Sequence, residues 1–393
     1  MAKSATNYAI TKRKDGRWHT ELMSDGKRVH VYGKTQAEVK AKLKRKLEEF
    51  EQARASGLNN YASASSVTVK EWATKWLETY AKMSVRPSTY GGYKTIVEHH
   101  LDGIGHYKLS EISPVVIQDF LQKNARMDAN AGKEGYLGEK SLLNLRNYLH
   151  VIFQQAVTNG MMIRNPADGV KIPKAGTRIT RALTIEEQKA LLTVARNAPR
   201  KVLFAVVFAL YTGCRKGEVL GLQWSDVDFE NNVIHITKQL TRHIDMHNKT
   251  DNNTILELSE PKTRNSVRDV YMFKSFAAEF LEYKQNMIEW KAENGYVHSE
   301  EDFVFCSTVN KAMEPRVFYK YYTTALKNAG IEDADFHTLR HTFATRGIEA
   351  GMDILMLSRT LGHSNISTTL NKYSHLLPSH QKACMEKLES LFF

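Results

Sequence analysis

The spacing of apolar positions changes character along the chain, and each change marks a new structural unit. Residues 8–12, 17–23 and 28–32 alternate apolar with polar and read as three short strands, with Trp18, Thr20 and Leu22 on one face. Asp15-Gly16 and Asp25-Gly26 supply the turns between them. From Thr35 the period lengthens: Thr35 and Glu38 form a capping box, and Val39, Leu43, Leu47 and Phe50 follow at helical spacing. Residues 55–66, ASGLNNYASASS, are poor in large apolar side chains and read as a linker.

A helical stretch then runs from Val69 to about Val170. Its first helix carries Trp72, Trp76, Leu77 and Tyr80, and a second starts after Pro87 within residues 86–101. A third covers 113–122 with Pro114 at its start, a glycine-containing loop spans 128–138, and a last amphipathic helix covers 141–159. Asn165-Pro166 closes this unit, and the basic linker 171–181 follows. Beyond it, Thr184 and Glu187 form another capping box, and 203–212 is an apolar run too short to span a bilayer, so it reads as a buried helix. Residues 226–237 predict a hairpin around Asn231-Asn232, followed by a polar segment over 239–254. Leu256 and Leu258 then alternate into Pro261-Lys262-Thr263 and a return strand over 267–272, which puts Lys262 at a hairpin tip. Residues 336–375 predict two or three short helices broken at Gly347, Gly351 and Gly362. The expected fold class is α+β and multidomain. A small three-stranded sheet with a helix comes first, then a helical domain, then a mainly helical domain with a small antiparallel sheet.

Charge narrows the partner. The formal net charge of +12 favours a polyanion, and residues 1–66 hold 14 Lys+Arg against 7 Asp+Glu. A small basic sheet can enter a major groove, which makes Lys12, Arg13, Lys14, Arg17, Lys27 and Arg28 candidates for DNA contact. The lysines of the following helix read equally well as a solvated face. Three cysteines without C-x-x-C spacing suggest reduced thiols, and the N-terminus has no apolar h-region, so a cytosolic protein is expected.

The candidate chemistry lies in two places. His337, Arg340 and His341 fall at i, i+3 and i+4 and share a helical face. The two histidines could be a zinc pair, but Thr338 stands where H-E-x-x-H has its glutamate, and no Cys or carboxylate cluster completes a shell. No metal is expected, and His341 reads as a hydrogen-bonded core residue. Upstream, Arg215 and Glu218 interrupt a buried apolar pattern. An arginine there is costly unless it meets an anion, and Glu218 could orient it or simply pair with it.

T-G-x-R-x-G-E at 212–218, H-x-L-R-H at 337–341, L-G-H at 361–363 and the following Tyr373 resemble the tyrosine recombinases, or phage-type integrases, in order and separation. The resemblance implies Tyr373 as the nucleophile, Arg215 and Arg340 as clamps on the phosphate, and Glu218 as an orienting carboxylate. It further implies His337 as general base, His363 as a donor to phosphate, and Lys262 as general acid, with Lys238 and Lys249 as competitors for that last role. No cofactor is implied. The N-terminal block resembles the arm-site domain of conjugative-transposon integrases, and the helical stretch resembles the core-binding domain, where Arg86, Ser88, Thr89, Tyr93 and Lys94 would touch DNA backbone. The implied domains are 1–60, 67–172 and 180–393. Partners implied are double-stranded DNA at core and arm attachment sites, a homotetramer on DNA, an excisionase and a host DNA-bending protein, in a bacterial cytoplasm at the nucleoid, with no membrane. Met385, Leu388, Leu391 and Phe392 recur at helical spacing and would pack on their own domain or on a neighbouring subunit. A type IB topoisomerase or a catalytically silent DNA-binding regulator are the alternatives. The first reseals the same strand, and the second should have lost a catalytic position.

Overall fold

The computed structural model describes residues 8–24, 27–55, 66–125, 136–173, 181–199, 201–246, 254–261 and 264–373, with 385, 389 and 392. The chain divides into two compact units, one of residues 1–178 with 244–251, the other of 179–243 with 252–393.

The first unit opens with a sheet of order β1-β2-β3, formed by Thr11–Lys12, Trp18–Ser24 and Lys27–Gly33. The β2–β3 register runs from Trp18↔Gly33 to Ser24↔Lys27, and the turn expected at Asp25-Gly26 lies outside the described residues. The first strand is shorter than the alternation predicts, and ahead of it the Ala9 carbonyl accepts from the Thr20 hydroxyl at 2.8 Å. Leu22 and Val31 bury against Val39, Leu43 and Phe50 of α1, Gln36–Ala55. The Glu38 amide donates to Thr35 Oγ1 at 3.2 Å, as a capping box requires, but the Glu38 carboxylate accepts from the Lys34 amide at 2.8 Å, one residue before the expected partner, so only half of the box forms as predicted.

The helices that follow are α2 (Val69–Trp76), α3 (Pro87–His99), α4 (Pro114–Lys123) and α5 (Glu139–Thr158). Helix α2 runs on through a π-helical turn, Leu77–Ala81. Their shared core holds Trp72, Trp76, Leu145, Leu149 and Phe153, and Trp72 Nε1 donates to the Ile152 carbonyl at 2.9 Å. Tyr93 corrects an expectation. On α3 it lies on the same face as Tyr90, Ile96 and Val97, and its ring meets Trp76 and Tyr148 edge-on at 4.9 and 4.6 Å. It is packed as a core group, with 8% of its surface exposed.

The second unit starts with α6 (Ile185–Arg196), capped by Thr184 and Glu187. The apolar run forms α7 (Phe204–Thr212), and its side chains are buried apart from a half-buried Tyr211. After Gly213 comes the short α8 (Lys216–Leu220). Strands β4 (Val227–Asp228), β5 (Val233–Ile236) and β8 (Arg268–Tyr271) form one sheet, while β6 (Gln239–Ile244) and β7 (Thr254–Ser259) pair as another. Among the described residues, β7 and β8 therefore do not pair with each other as the expected hairpin would require. Val270 of β8 buries beside Ile234 of β5, and the segment expected to be merely polar supplies β6, with Leu240 in the core. Helices α9 (Lys274–Glu293), α10 (Pro315–Asn328), α11 (Phe336–Glu349), α12 (Ile354–Leu361) and α13 (Ile366–Tyr373) complete the unit. Among the described residues, no helix is long and apolar enough to cross a membrane.

Candidate active site

Two helices end on glycines, and those ends build the site. Gly213 closes α7 and Gly362 closes α12, both left-handed with φ of 65°. A helix C-terminus leaves carbonyls without intrahelical partners and carries partial negative charge, so it can hold cations. Arg340, on α11 and 2% exposed, donates from Nη1 to the Gly213 carbonyl at 3.0 Å and from Nη2 to the Leu361 carbonyl at 2.6 Å. Arg215, at the N-cap of α8, donates from Nη2 to the Gly362 carbonyl at 2.9 Å. A Cβ on Gly213 would sit 2.6 Å from the Phe343 ring, so this turn accepts no side chain.

Glu218, 2% exposed, links the cations. Its carboxylate accepts from the Arg215 amide at 2.8 Å and from Arg215 Nη1 at 2.7 Å. It also accepts from Arg268 of β8, at 2.9 Å from Nη2 and 3.2 Å from Nη1. Burial, the largest influence, works to raise the Glu218 pKa. The charge and hydrogen bonds of Arg268, with those of Arg215, outweigh it and hold the carboxyl below its ordinary value. Arg340 is pushed down to about 9, chiefly by burial and next by the like charge of Arg215. Three guanidinium groups thus surround one carboxylate, and the excess positive charge suits an anion.

The expected residues divide by place. His363 lines a cavity of about 300 Å³ with Arg215, Glu218 and Ser364, and its Nδ1 lies 2.7 Å from Thr369 Oγ1. His337 is exposed and faces a second concavity that also reaches Arg215. Tyr373, at the end of α13, is 4% exposed and its hydroxyl lies 2.8 Å from His341 Nδ1. Burial pushes the phenol up to about 12, with the Arg340 charge pulling the other way. His337 meets His341 edge-on at 4.9 Å. Lys262 and Lys249 lie outside the described residues, and Lys238 is bound to Asp226 at 3.2 Å. Among the described residues, no three His, Cys, Asp or Glu side chains gather as metal ligands. Sequence reasoning missed two residues. His341, read as core, is the partner of the tyrosine hydroxyl, and its position four after His337 was the available signal. Arg268 had no local signal at all, since a single arginine in a strand reads as surface.

The basic candidates lie elsewhere. Lys12, Arg13, Lys14, Arg17 and Arg28 are exposed, and the side chain of Lys27 lies outside the described residues. Arg13 and Arg17 sit over the Tyr32 ring at 5.6 and 5.9 Å, and Tyr32 stacks with His19 and His30 on the open face of the sheet. Arg86 and Ser88 are exposed at the start of α3, Thr89 is half-buried there, and Lys94 pairs with Glu98 at 3.6 Å.

The sequence pattern of the phage integrase family matches residues 181–380, which contain the arginine cluster, both histidine motifs and Tyr373. The chain belongs to the phage integrase family. An N-terminal SAM-like domain of phage integrases matches residues 68–124. A XerC-like tyrosine recombinase of Caldanaerobacter subterraneus is 31% identical, over 100% of both chains. The ICEBs1 integrase of Bacillus subtilis is 26% identical, over 90% of this chain and 89% of that one. Among solved structures, the Tn1549 transposon integrase in complex with transposon right-end DNA matches with a TM-score of 0.65 and 26% identity, covering 82% of this chain and 100% of that one. This integrase is accordingly a tyrosine-type site-specific recombinase, and its multidomain α+β fold is that of the tyrosine integrases.

Proposed function

We propose that Tyr373 attacks a DNA phosphate and forms a 3′-phosphotyrosine, which a foreign 5′-hydroxyl then resolves, so that a mobile element is integrated and excised. The observation that carries this is the Tyr373 hydroxyl, hydrogen-bonded to His341 at 2.8 Å and within the field of the buried Arg340 guanidinium. Phosphodiester exchange needs a nucleophile freed of its proton, stabilisation of the oxyanion at phosphorus, and a proton for the leaving 5′-oxygen. Arg215 and Arg340 supply forked donors to the non-bridging oxygens. His363 donates to a phosphate oxygen, His337 accepts a proton, and Lys262 protonates the 5′-oxygen. The covalent intermediate conserves the bond energy, so no nucleotide is consumed.

Residues 1–60 are assigned to arm sites and 67–172 with 180–393 to the core site, a bivalent arrangement that raises the effective concentration of the second contact. Lys12, Arg13, Lys14, Arg17, Lys27 and Arg28 contact the arm, and Arg86, Ser88, Thr89 and Lys94 the core backbone. Recombining two duplexes cuts four strands, which calls for four protomers, with an excisionase and a host DNA-bending protein setting direction at the nucleoid.

The test is covalent trapping in EDTA on a nicked duplex that carries the attachment site, with Tyr373→Phe and Arg215→Lys alongside. A covalent band is expected from the wild type, none from Tyr373→Phe, and a weak one from Arg215→Lys. A band that persists in Tyr373→Phe would mean that another residue is the nucleophile.

A further inference from the structure

We infer that Arg268 is a positioning residue for DNA cleavage, holding the Glu218 carboxylate so that Glu218 orients the Arg215 guanidinium without capturing it from the phosphate. This rests on the phosphate-binding role proposed above for Arg215. A buried carboxylate 2.7 Å from the Arg215 fork is a strong competitor for any incoming anion. Arg268 blunts that competition by engaging both carboxylate oxygens, at 2.9 and 3.2 Å, from a position 6% exposed. It is itself fastened by backbone carbonyls. Nε donates to the Thr360 carbonyl, and Nη1 donates to the Ser266 carbonyl at 3.0 Å. A Cβ on Gly362 would stand 3.1 Å from Arg268 Cδ and Nη1, so the glycine of L-G-H makes room for this arginine as well as ending α12. Arg268 therefore ties β8, α8 and the end of α12 around one carboxylate. The groups that face Glu218 are Arg215, Arg268, Cys214 and, at longer range, Arg340, with His363 across the shared cavity.

The experiment measures single-turnover covalent-complex formation on the nicked core site for Arg268→Met, Arg268→Lys and Arg268→Met combined with Glu218→Gln, between about pH 6 and pH 8.5. Arg268→Met should lose roughly a hundredfold in rate, the scale of a removed oxyanion contact. Arg268→Lys keeps the charge and should stay within about tenfold of wild type. Adding Glu218→Gln to Arg268→Met removes the competing charge and should restore at least about tenfold. Without Arg268, burial favours the protonated carboxyl, so the ratio of Arg268→Met to wild-type rate should rise as pH falls. A purely structural arginine would give a flat ratio and no rescue. The inference is overturned by a wild-type rate in Arg268→Met, or by a double variant no faster than the single one with a flat pH ratio. Melting curves are recorded for each variant. If Arg268→Met does not fold, a rate for folded Arg268→Lys as low as that of Arg215→Lys overturns the inference. Wild-type cleavage by Arg215→Lys would instead sink the reading of Arg215 on which this rests.

Discussion

The two cationic regions of this integrase handle charge in opposite ways. Arg215, Arg268 and Arg340 are half-buried or buried, and each is fixed by backbone carbonyls at helix ends, by Glu218, or by both. Arg13 and Arg17 of the N-terminal sheet are exposed, paired with Asp15 within two residues, and otherwise lie over Tyr32. Desolvated, oriented donors cost stability in advance and need no reorganisation when charge develops at phosphorus. Exposed, screened charges cost little and act through counterion release. On the roles proposed above, one region serves the chemistry and the other salt-sensitive adhesion to DNA.

The sharpest way to break that comparison is Arg340→Lys. A lysine cannot bridge the Gly213 and Leu361 carbonyls while also presenting a fork. We expect roughly 10²–10³ lower rate of covalent-complex formation with arm-site affinity unchanged in a gel-shift assay. Equal losses in both assays would mean that the two regions are one functional unit.

Next in size is Gly213→Ala. Its positive φ and the 2.6 Å approach to Phe343 predict a loss of about 1–3 kcal/mol in denaturant unfolding, the cost of strained backbone and overpacking. Cleavage should fall with it, because the Gly213 carbonyl holds Arg340.

The pH dependence of stability separates the regions further. Glu218 has a folded pKa below its ordinary 4.5, so its contribution is present above that value and is lost as pH falls through the folded value. Replacing it by Gln should flatten the acid limb of the melting temperature below about pH 5, whereas Asp15→Asn in the exposed sheet should leave that limb almost unchanged. An acid limb steeper in Glu218→Gln than in wild type would contradict the assignment.

The smallest expected effect is on the sheet. Arg13→Ala with Arg17→Ala should reduce the slope of log K against log salt for arm DNA by about 1 for each phosphate left without its cation. The melting temperature should hardly move, since exposed ion pairs contribute little.

The period of the apolar positions and the turn residues were enough to place the three-stranded sheet, the helix start at Thr35, the capping box at Thr184, and the buried run that becomes α7, because these depend on neighbours a few residues away. The four motifs, by their order and separation, placed Arg215, Glu218, Arg340, His363 and Tyr373 in one family site. Strand pairing was not legible in the same way. Residues 239–244 mix polar side chains with Leu240 and Ile244 and gave no clear strand signal, yet β6 pairs with β7 while β5 pairs with β8, with Leu240 and Val270 buried. Tyr93 reads as a surface tyrosine beside Lys94, yet its ring packs edge-on against Trp76 and Tyr148. The sequence alone determined which chemistry this protein carries, since that is written in residue types at fixed local spacing. Tertiary structure alone decided that His341 meets the tyrosine hydroxyl and that Arg268, 50 residues from Glu218 in sequence, holds its carboxylate. Those contacts depend on how separate helix ends and a strand converge, and no local period encodes that convergence.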